Sequence, residues 1–438
     1  MNRWQNWAGT ASADPQRVHT PRSAAEIAEV VTGVAAHGRR VRAWGSGHSF
    51  TPIAVADSDA IDLRGWTGIA AADAGTHHVT VRSGTTIRRL NAELDGLGLA
   101  LSNLGDIDAQ TIAGAVSTGT HGTGARLGGL ATQIVQLELV LADGSVVTCS
   151  ADREPDLFAA ARVGLGALGV ITHVTLQCEP AFALAAQERP EPLEQVLEGF
   201  DTFAAENDHF EFYWFPYGKN ALVKRNNRLP AGEVKRPLSR ARQFFDYDIM
   251  ENLAFGALCR IGRAMPRLVR PLGRFASSVL SAREYSDTSH RVFVTQRGVR
   301  FVESEYAVPR ESVHEVLREL RALVPRLETP VAFPVEVRVA AADDIWLSTA
   351  CGRDSAYIAI HQFTGMPYRE YFAGFESIVA AVGGRPHWGK MHTLDAAVLR
   401  ERHPHFDDFV KVAHRCDPAG VFRNSYVDRV LGPLQSCQ

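Results

Sequence analysis

Apolar positions in "SAAEIAEVVTGVAAHG" (23–38) recur at three- and four-residue steps, the period of an amphipathic helix. Ser23 is placed to cap its first turn, Glu26 completes a capping box, and Gly38 supplies the stop. "TTIRRLNAELDGLGLAL" (85–101) repeats that period. Between the two helices the pattern changes. "RVRAWG" predicts a strand, and "DAIDLRGW" with "HHVTVRSG" predicts a strand pair. "LATQIVQLELVLADGSVVTCS" predicts a hairpin turning at Asp143-Gly144. Residues 102–124 are almost all small or polar, and "LGALGVITHVTLQCEP" (165–180) opens on close glycines and ends as an alternating strand. Up to about residue 180 the chain reads as αβ plus β, with many glycine loops.

From residue 181 the character shifts. Aromatic and β-branched strands ("HFEFYWFPY", "YIAIHQF") alternate with helices, which predicts an α+β unit on a broad antiparallel sheet. The tail "HFDDFVKVAHRCDPAGVFRNSYVDRVLG" reads as a helix closed by Asp417-Pro418 and a compact end. One stretch stands apart: in 250–283, arginines at 260, 263, 267, 270 and 274 fall on one helical face. Pro266 and Pro271 predict two short pieces rather than one helix. The stripe fits either a solvated face of a docking helix or contact with an anionic membrane surface.

Composition narrows the class. A chain of 438 residues exceeds one core. A net charge of −3 argues against a general nucleic-acid binder. The six cysteines (149, 178, 259, 351, 416 and 437) form no CxxC pair and no metal-ligand spacing, as expected of reduced thiols in a cytoplasmic protein. No apolar run is long enough to span a bilayer, and "MNRWQNWAGT" lacks the apolar core of a signal peptide.

Two glycine-rich runs carry the chemistry. In "RVRAWGSGHSFTPIA" (40–54) a strand feeds a turn whose Gly45 and Gly47 let backbone approach a bulky group, with Ser46 and Ser49 as donors. Phosphate is the usual guest of such a turn, yet a phosphate cradle does not need His48 in its middle. "SNLGDIDAQTIAGAVSTGTHGTGARLGG" (102–129) offers more of the same backbone, suited to a pyrophosphate. It matches neither GxGxxG before a helix nor GxxxxGK[ST]. In "PVEVRVAAADD", Glu336 and Arg338 stand two apart on a strand and so share a face. By spacing alone a surface cross-strand pair is the favoured reading.

"GSGHSFTPI", "GDIDAQTIAGAVSTGTHGTG" and "LGALGVIT" resemble the FAD-binding (PCMH-type) domain of the vanillyl-alcohol oxidase superfamily. "HFEFYWFPY", "PVEVRVAAADDIWLS", "IAIHQF", "RPHWGKMH" and "DPAGVFRNSY" are similar to the cap domain and tail of its aldonolactone oxidoreductase branch. The resemblance implies a two-domain α+β fold: an FAD-binding domain (1–180), a cap domain with a broad antiparallel sheet (181–395), and a segment (396–438) returning to the first. It implies FAD held by Trp44, Gly45, Ser46, Gly47, His48, Ser49, Gly105, Asp106, Gly114, Ser117, Thr118, His121, Gly122, Gly169, Val170, Ile171 and His387. His48 would bond covalently to the flavin, the alternative being a ring that only lies beside it. His121 would be a structural hydrogen-bonder.

The implied reaction is oxidation of a hydroxyl on an L-gulono-1,4-lactone-like sugar lactone, with alditol oxidation as the alternative. Hydride leaves for the flavin while a carboxylate takes or steers the hydroxyl proton and a cation stabilises the oxygen. Glu336, Arg338 and Lys390 fill those roles by resemblance. Ser117 would touch substrate, and His361 either lines the sugar pocket or fills core. Oxygen, a cytochrome or another carrier would reoxidise the flavin, with Ala113, Ala115 or Thr120 as the candidate gate for that choice. No metal is expected, since neither carboxylate nor cysteine near His387 and His392 completes a ligand set. The expected location is the cytoplasm, with the inner membrane face open to the 250–283 stretch.

Overall fold

The computed structural model describes residues 3–230, 232–295 and 297–434. Helix Ala24–Ala36 starts where the capping pattern places it: Ser23 Oγ accepts from the Glu26 amide, and Gly38 takes a left-handed φ of +61°. The Glu26 carboxylate reaches back to the Arg22 amide at 2.8 Å, one residue before the cap.

The first 180 residues build two sheets. Strands Arg17–His19, Asp59–Asp62 and Val41–Trp44 pair in parallel, with the middle of the sheet held by Asp59–Asp62. A five-stranded antiparallel sheet contains the hairpin Ile134–Val140 and Val146–Ser150, then Val170–Gln177, His78–Arg82 and Ile69–Asp73. The expected strand pair 59–66 and 77–84 is therefore split between the two sheets. His78–Arg82 finds its neighbour instead in Ile69–Asp73, whose mostly exposed "IAAAD" gives no alternating signal.

An eight-stranded antiparallel sheet dominates the remainder, in the order 283–288, 183–192, 220–228, 209–214, 335–340, 355–363, 301–309, 385–386. One face packs Phe210, Phe212, Val335, Val337, Ile358 and Ile360 against helices Val313–Leu323 and Arg369–Ala381. That face is a dry core. The opposite face points at the first half of the chain. The last helices, Phe406–Cys416 and Ser425–Leu431, share a core with Val79, Leu137 and Val174 of the five-stranded sheet. Asp417 ends the first of them by accepting from the Val421 and Phe422 amides.

The 250–283 stretch breaks once. Helices Phe255–Ala264 and Val269–Ser278 flank a single turn begun by Pro266. Pro271 does not interrupt, because it lies in the first turn of the second helix, where no amide donor is required. Five cysteines are free and buried, and Cys437 lies outside the described residues. Among the described residues no helix is long and apolar enough to cross a membrane.

Candidate active site

Strand Val41–Trp44 delivers the glycine turn to the floor of a cleft. Trp44, Gly45, Ser46, Gly47, His48, Ser49, Gly114, Ser117, Thr118, Gly169 and Ile171 all line it, so both glycine-rich runs and the third motif meet there. Gly47 has φ +69°, and a Cβ on Gly45 would sit 2.4 Å from Thr111 Oγ1. These positions need glycine for backbone conformation and for close approach respectively. No carboxylate lines the cleft, and the buried Ser83 Oγ at its wall has no partner among the described residues. An elongated anionic group with hydrogen-bond acceptors fits this wall, as FAD would.

Six expected cofactor residues do not line this cleft, though His387 borders a smaller space that shares His48, Ser49 and Thr118 with it. Val170 packs with Val140 and Ile27 in an apolar cluster behind the cleft. Gly105 and Gly122 bring two loops together: a Cβ on Gly122 would meet Leu104 O at 2.2 Å. Asp106, His121 and His387 belong to the charged face of the large sheet. The loop 121–124 docks that sheet, since Gly124 N donates to Val339 O (2.8 Å) and Thr123 Oγ1 to Phe210 O (2.5 Å).

The charged face is built by alternation. Glu211 and Tyr213 from one strand sit opposite Arg338 and Glu336 of the next, and Arg338 pairs in register with Tyr357. Glu303 lies opposite His361. Glu336 is bound to Arg338 and accepts from the Tyr213 hydroxyl at 2.7 Å. Arg338 Nε donates to Glu211 at 2.9 Å, and its Nη2 is 3.6 Å from Asp106. Arg297 pairs with Asp106 and lies 3.8 Å from Glu336. Burial pushes the Glu336 carboxyl above its usual value despite the two guanidinium groups. Burial works against charge on Arg338 too, but Glu336, Glu211 and Asp106 hold it firmly protonated.

A second cluster lies across the strand Ser355–Phe363. Lys390 Nζ is 2.5 Å from Glu303 and 4.0 Å from Glu305. Both carboxyls are held down by Lys390 and a histidine, which outweigh burial. His361 is engaged on both nitrogens, Nδ1 with Pro334 O at 3.0 Å and Nε2 with Glu303 at 3.5 Å. His48 borders the cleft and a smaller space shared with Lys390 and His387. Burial, then the Lys390 charge, holds its imidazole below the usual histidine value, so it is neutral at pH 7.

The histidines group differently from expectation. His387 meets His121 and Glu305, one ligand atom from each lying within 4.8 Å of the others, whereas His392 bonds the Tyr426 hydroxyl. The trio has partners already: His121 Nδ1 faces Gly122 O, its Nε2 faces Glu305, and His387 Nδ1 accepts from the Gly389 amide.

Sequence reading missed Glu211, Tyr213, Arg297, Glu303 and Glu305. The strand "FVESEYAVP" carries the same signal as "PVEVRVA", two charges spaced by two among apolar neighbours. Tyr213 was masked by the aromatic run around it.

The chain is similar to known proteins along nearly its whole length. A family model described as "FAD binding domain" matches residues 15–150, and one described as "D-arabinono-1,4-lactone oxidase" matches 174–430. "L-gulono-1,4-lactone dehydrogenase" of Mycobacterium tuberculosis is 45% identical, covering 98% of this chain and 99% of its own. "L-gulonolactone oxidase" of Mus musculus is 36% identical over 98% of each chain. In fold, the chain is similar to a "Solvent-stable cholesterol oxidase" with a TM-score of 0.85 at 21% identity, covering 97% of this chain and 96% of that one. The α+β architecture, the FAD-binding half and the sheet-bearing half are thus shared features, and the chain belongs to the D-arabinono-1,4-lactone oxidase family of FAD-dependent oxidoreductases.

Proposed function

We propose that the chain oxidises a ring hydroxyl of a sugar-1,4-lactone of the L-gulono-1,4-lactone type. The observation that carries this is the buried Glu336–Arg338 pair on the sheet face turned toward the FAD-binding half. Bound FAD supplies the two-electron acceptor of such a reaction. Glu336, with its raised carboxyl, takes the proton of the reacting hydroxyl, and Arg338 stabilises negative charge on that oxygen. Lys390, kept charged by Glu303 and Glu305, positions a lactone oxygen, and His361 fixes Glu303 from the side. Ser117, on the cleft wall, serves cofactor and substrate. The working units are 1–180 for FAD, 181–395 for substrate, and 396–438 as a closing segment. Anaerobic mixing with a panel of lactones and alditols tests the reading: a lactone should bleach the flavin fastest, and no bleaching by any lactone would overturn it.

His48 is the residue we assign to covalent attachment of FAD. Its neutral ring on the cleft border supports this. After acid precipitation the yellow colour should stay in the wild-type pellet and leave it in His48→Ala. Flavin that washes out of both proteins equally would sink the assignment.

The helices at 244–279 are assigned to the surface of an anionic membrane. Arg260, Arg263, Arg267, Arg270 and Arg274 are exposed there, together with Phe244, Phe245, Leu253 and Phe275. Arg263 and Arg270 also reach Thr364 O and Pro325 O, so part of the stripe secures the helices to the sheet. Co-sedimentation with anionic vesicles, lost when the five arginines become glutamines, is the expected result.

A further inference from the structure

A second cavity, of about 550 Å³, lies between the helices at 244–279 and the large sheet. Its walls are mainly apolar: Phe215, Leu222, Phe255, Leu258, Phe333 and Pro334 line it. A lactone of about a dozen heavy atoms, dense in hydroxyls, needs neither this volume nor this surface. The charged side chains on its wall are already paired. Arg283 binds Glu188 at 2.7 Å and Glu251 at 2.8 Å, lies 3.8 Å from Asp246, and Lys224 lies 3.6 Å from Glu211. The cavity therefore asks for an uncharged ligand.

Its two ends differ. At the inner end Tyr213 and Arg297 line it, the same side chains that contact Glu336. At the mouth, Met250, Phe275 and Val279 line it while being 42%, 58% and 47% exposed. Around that mouth the chain concentrates its exposed apolar residues: eight of the eleven large ones among the described residues fall between Phe244 and Val279. An apolar patch of this kind marks an interaction surface, and with its arginines it suits a lipid headgroup layer. The cavity thus connects a membrane-facing rim to the reacting face.

We propose that this cavity binds a lipid-soluble quinone, the electron acceptor of the reaction. The inference rests on the functional reading above, which requires a second reactant to reoxidise the flavin. A hydrocarbon tail lies along the helices, and a ring carbonyl reaches the Arg297 guanidinium at the inner end. The balance closes: the lactone gives up two electrons and two protons, and the quinone takes two electrons and two protons to become a hydroquinone.

The test uses the FAD-loaded full chain and an azido-benzoquinone carrying a ten-carbon tail, cross-linked by light and mapped by mass spectrometry. Label should appear in the peptides spanning 250–258 and 275–283 and be displaced by the unlabelled decyl quinone. Ala257→Trp, and separately Ala254→Trp, fill the cavity and should each cut labelling at least about tenfold. Label confined to other peptides, or undiminished in both variants, overturns the proposal, and the wild-type map decides even if a variant fails to fold. Lactone oxidation with ferricyanide is measured on the same preparation. Failure of that assay counts against the functional reading, and failure of labelling counts against the cavity.

Discussion

On the strand His209–Trp214, Phe210, Phe212 and Trp214 enter one side of the large sheet while Glu211 and Tyr213 enter the other. The same division runs across its neighbours: Val335, Val337 and Val339 against Glu336 and Arg338, then Ile358 and Ile360 against Tyr357 and His361. Apart from the half-buried Glu211, both sides are buried, so exposure does not distinguish them. Their energetics do. Each large apolar side chain removed from water on the first face contributes about 1.5–3 kcal/mol. On the second face, carboxylates and guanidinium groups lose hydration that their mutual attraction only offsets, and a well-packed apolar replacement is often as stable or more so. Five acids (Asp106, Glu211, Glu303, Glu305, Glu336) gathered with Arg297, Arg338 and Lys390 are hard to account for by stability. The proposed function accounts for them.

Perturbing the two faces one at a time sharpens that contrast. The largest effect on folding should come from Phe212→Ala, which leaves a cavity among Phe200, Phe210 and the covering helices. A loss of about 3–5 kcal/mol in unfolding free energy is expected. Turnover per folded molecule should stay within about threefold of wild type. Next comes Glu336→Gln, which keeps shape but removes the proposed proton acceptor. Flavin reduction by lactone in a stopped flow should slow by at least about 10²-fold, or roughly 3 kcal/mol. Its stability should drop less than that of Phe212→Ala, because Arg338 keeps Glu211 and Asp106. If Phe212→Ala slowed chemistry as much as Glu336→Gln, the division of labour between the faces would be lost.

The same contrast explains what the chain discloses to a reader of sequence. The shared face of Glu336 and Arg338 is legible because charges at i and i+2 inside an apolar strand must face one way, whereas their place in a site was readable only through the family resemblance. Glu303 and Glu305 obey the same rule in "FVESEYAVP", but their importance depends on Lys390 and His121, about 85 residues ahead and 180 residues behind. The glycine turn at 45–47 is legible because its backbone shape is local. Asp106 misleads for the opposite reason. It sits in the small-residue run that builds the cofactor cleft, yet its charge is neutralised by Arg297 and Arg338 from the other half of the molecule. Local geometry survives in sequence, and which charges meet across the two halves does not.

The smallest expected effect discriminates most finely between a catalytic and a merely buried carboxylate. Glu336 must be ionised to accept a proton, so flavin reduction should fall as pH drops through its pKa, which burial sets above the usual glutamate value. The Tyr213 hydroxyl donates to Glu336 Oε1 at 2.7 Å and so favours the ionised form. Tyr213→Phe removes that donor without changing the ring. The carboxyl should then hold its proton more tightly, and the acid limb of the rate profile should move to higher pH. On the plateau above the limb the rate should stay within about threefold, because the acceptor and Arg338 are both intact. In Glu336→Gln the limb should vanish, leaving a slow rate that no longer rises with pH over that range. Measured on all three proteins, the profiles separate two cases. A limb that shifts in Tyr213→Phe and disappears in Glu336→Gln belongs to Glu336. A limb unchanged in both belongs to another group, and the charged face would then hold substrate without taking its proton.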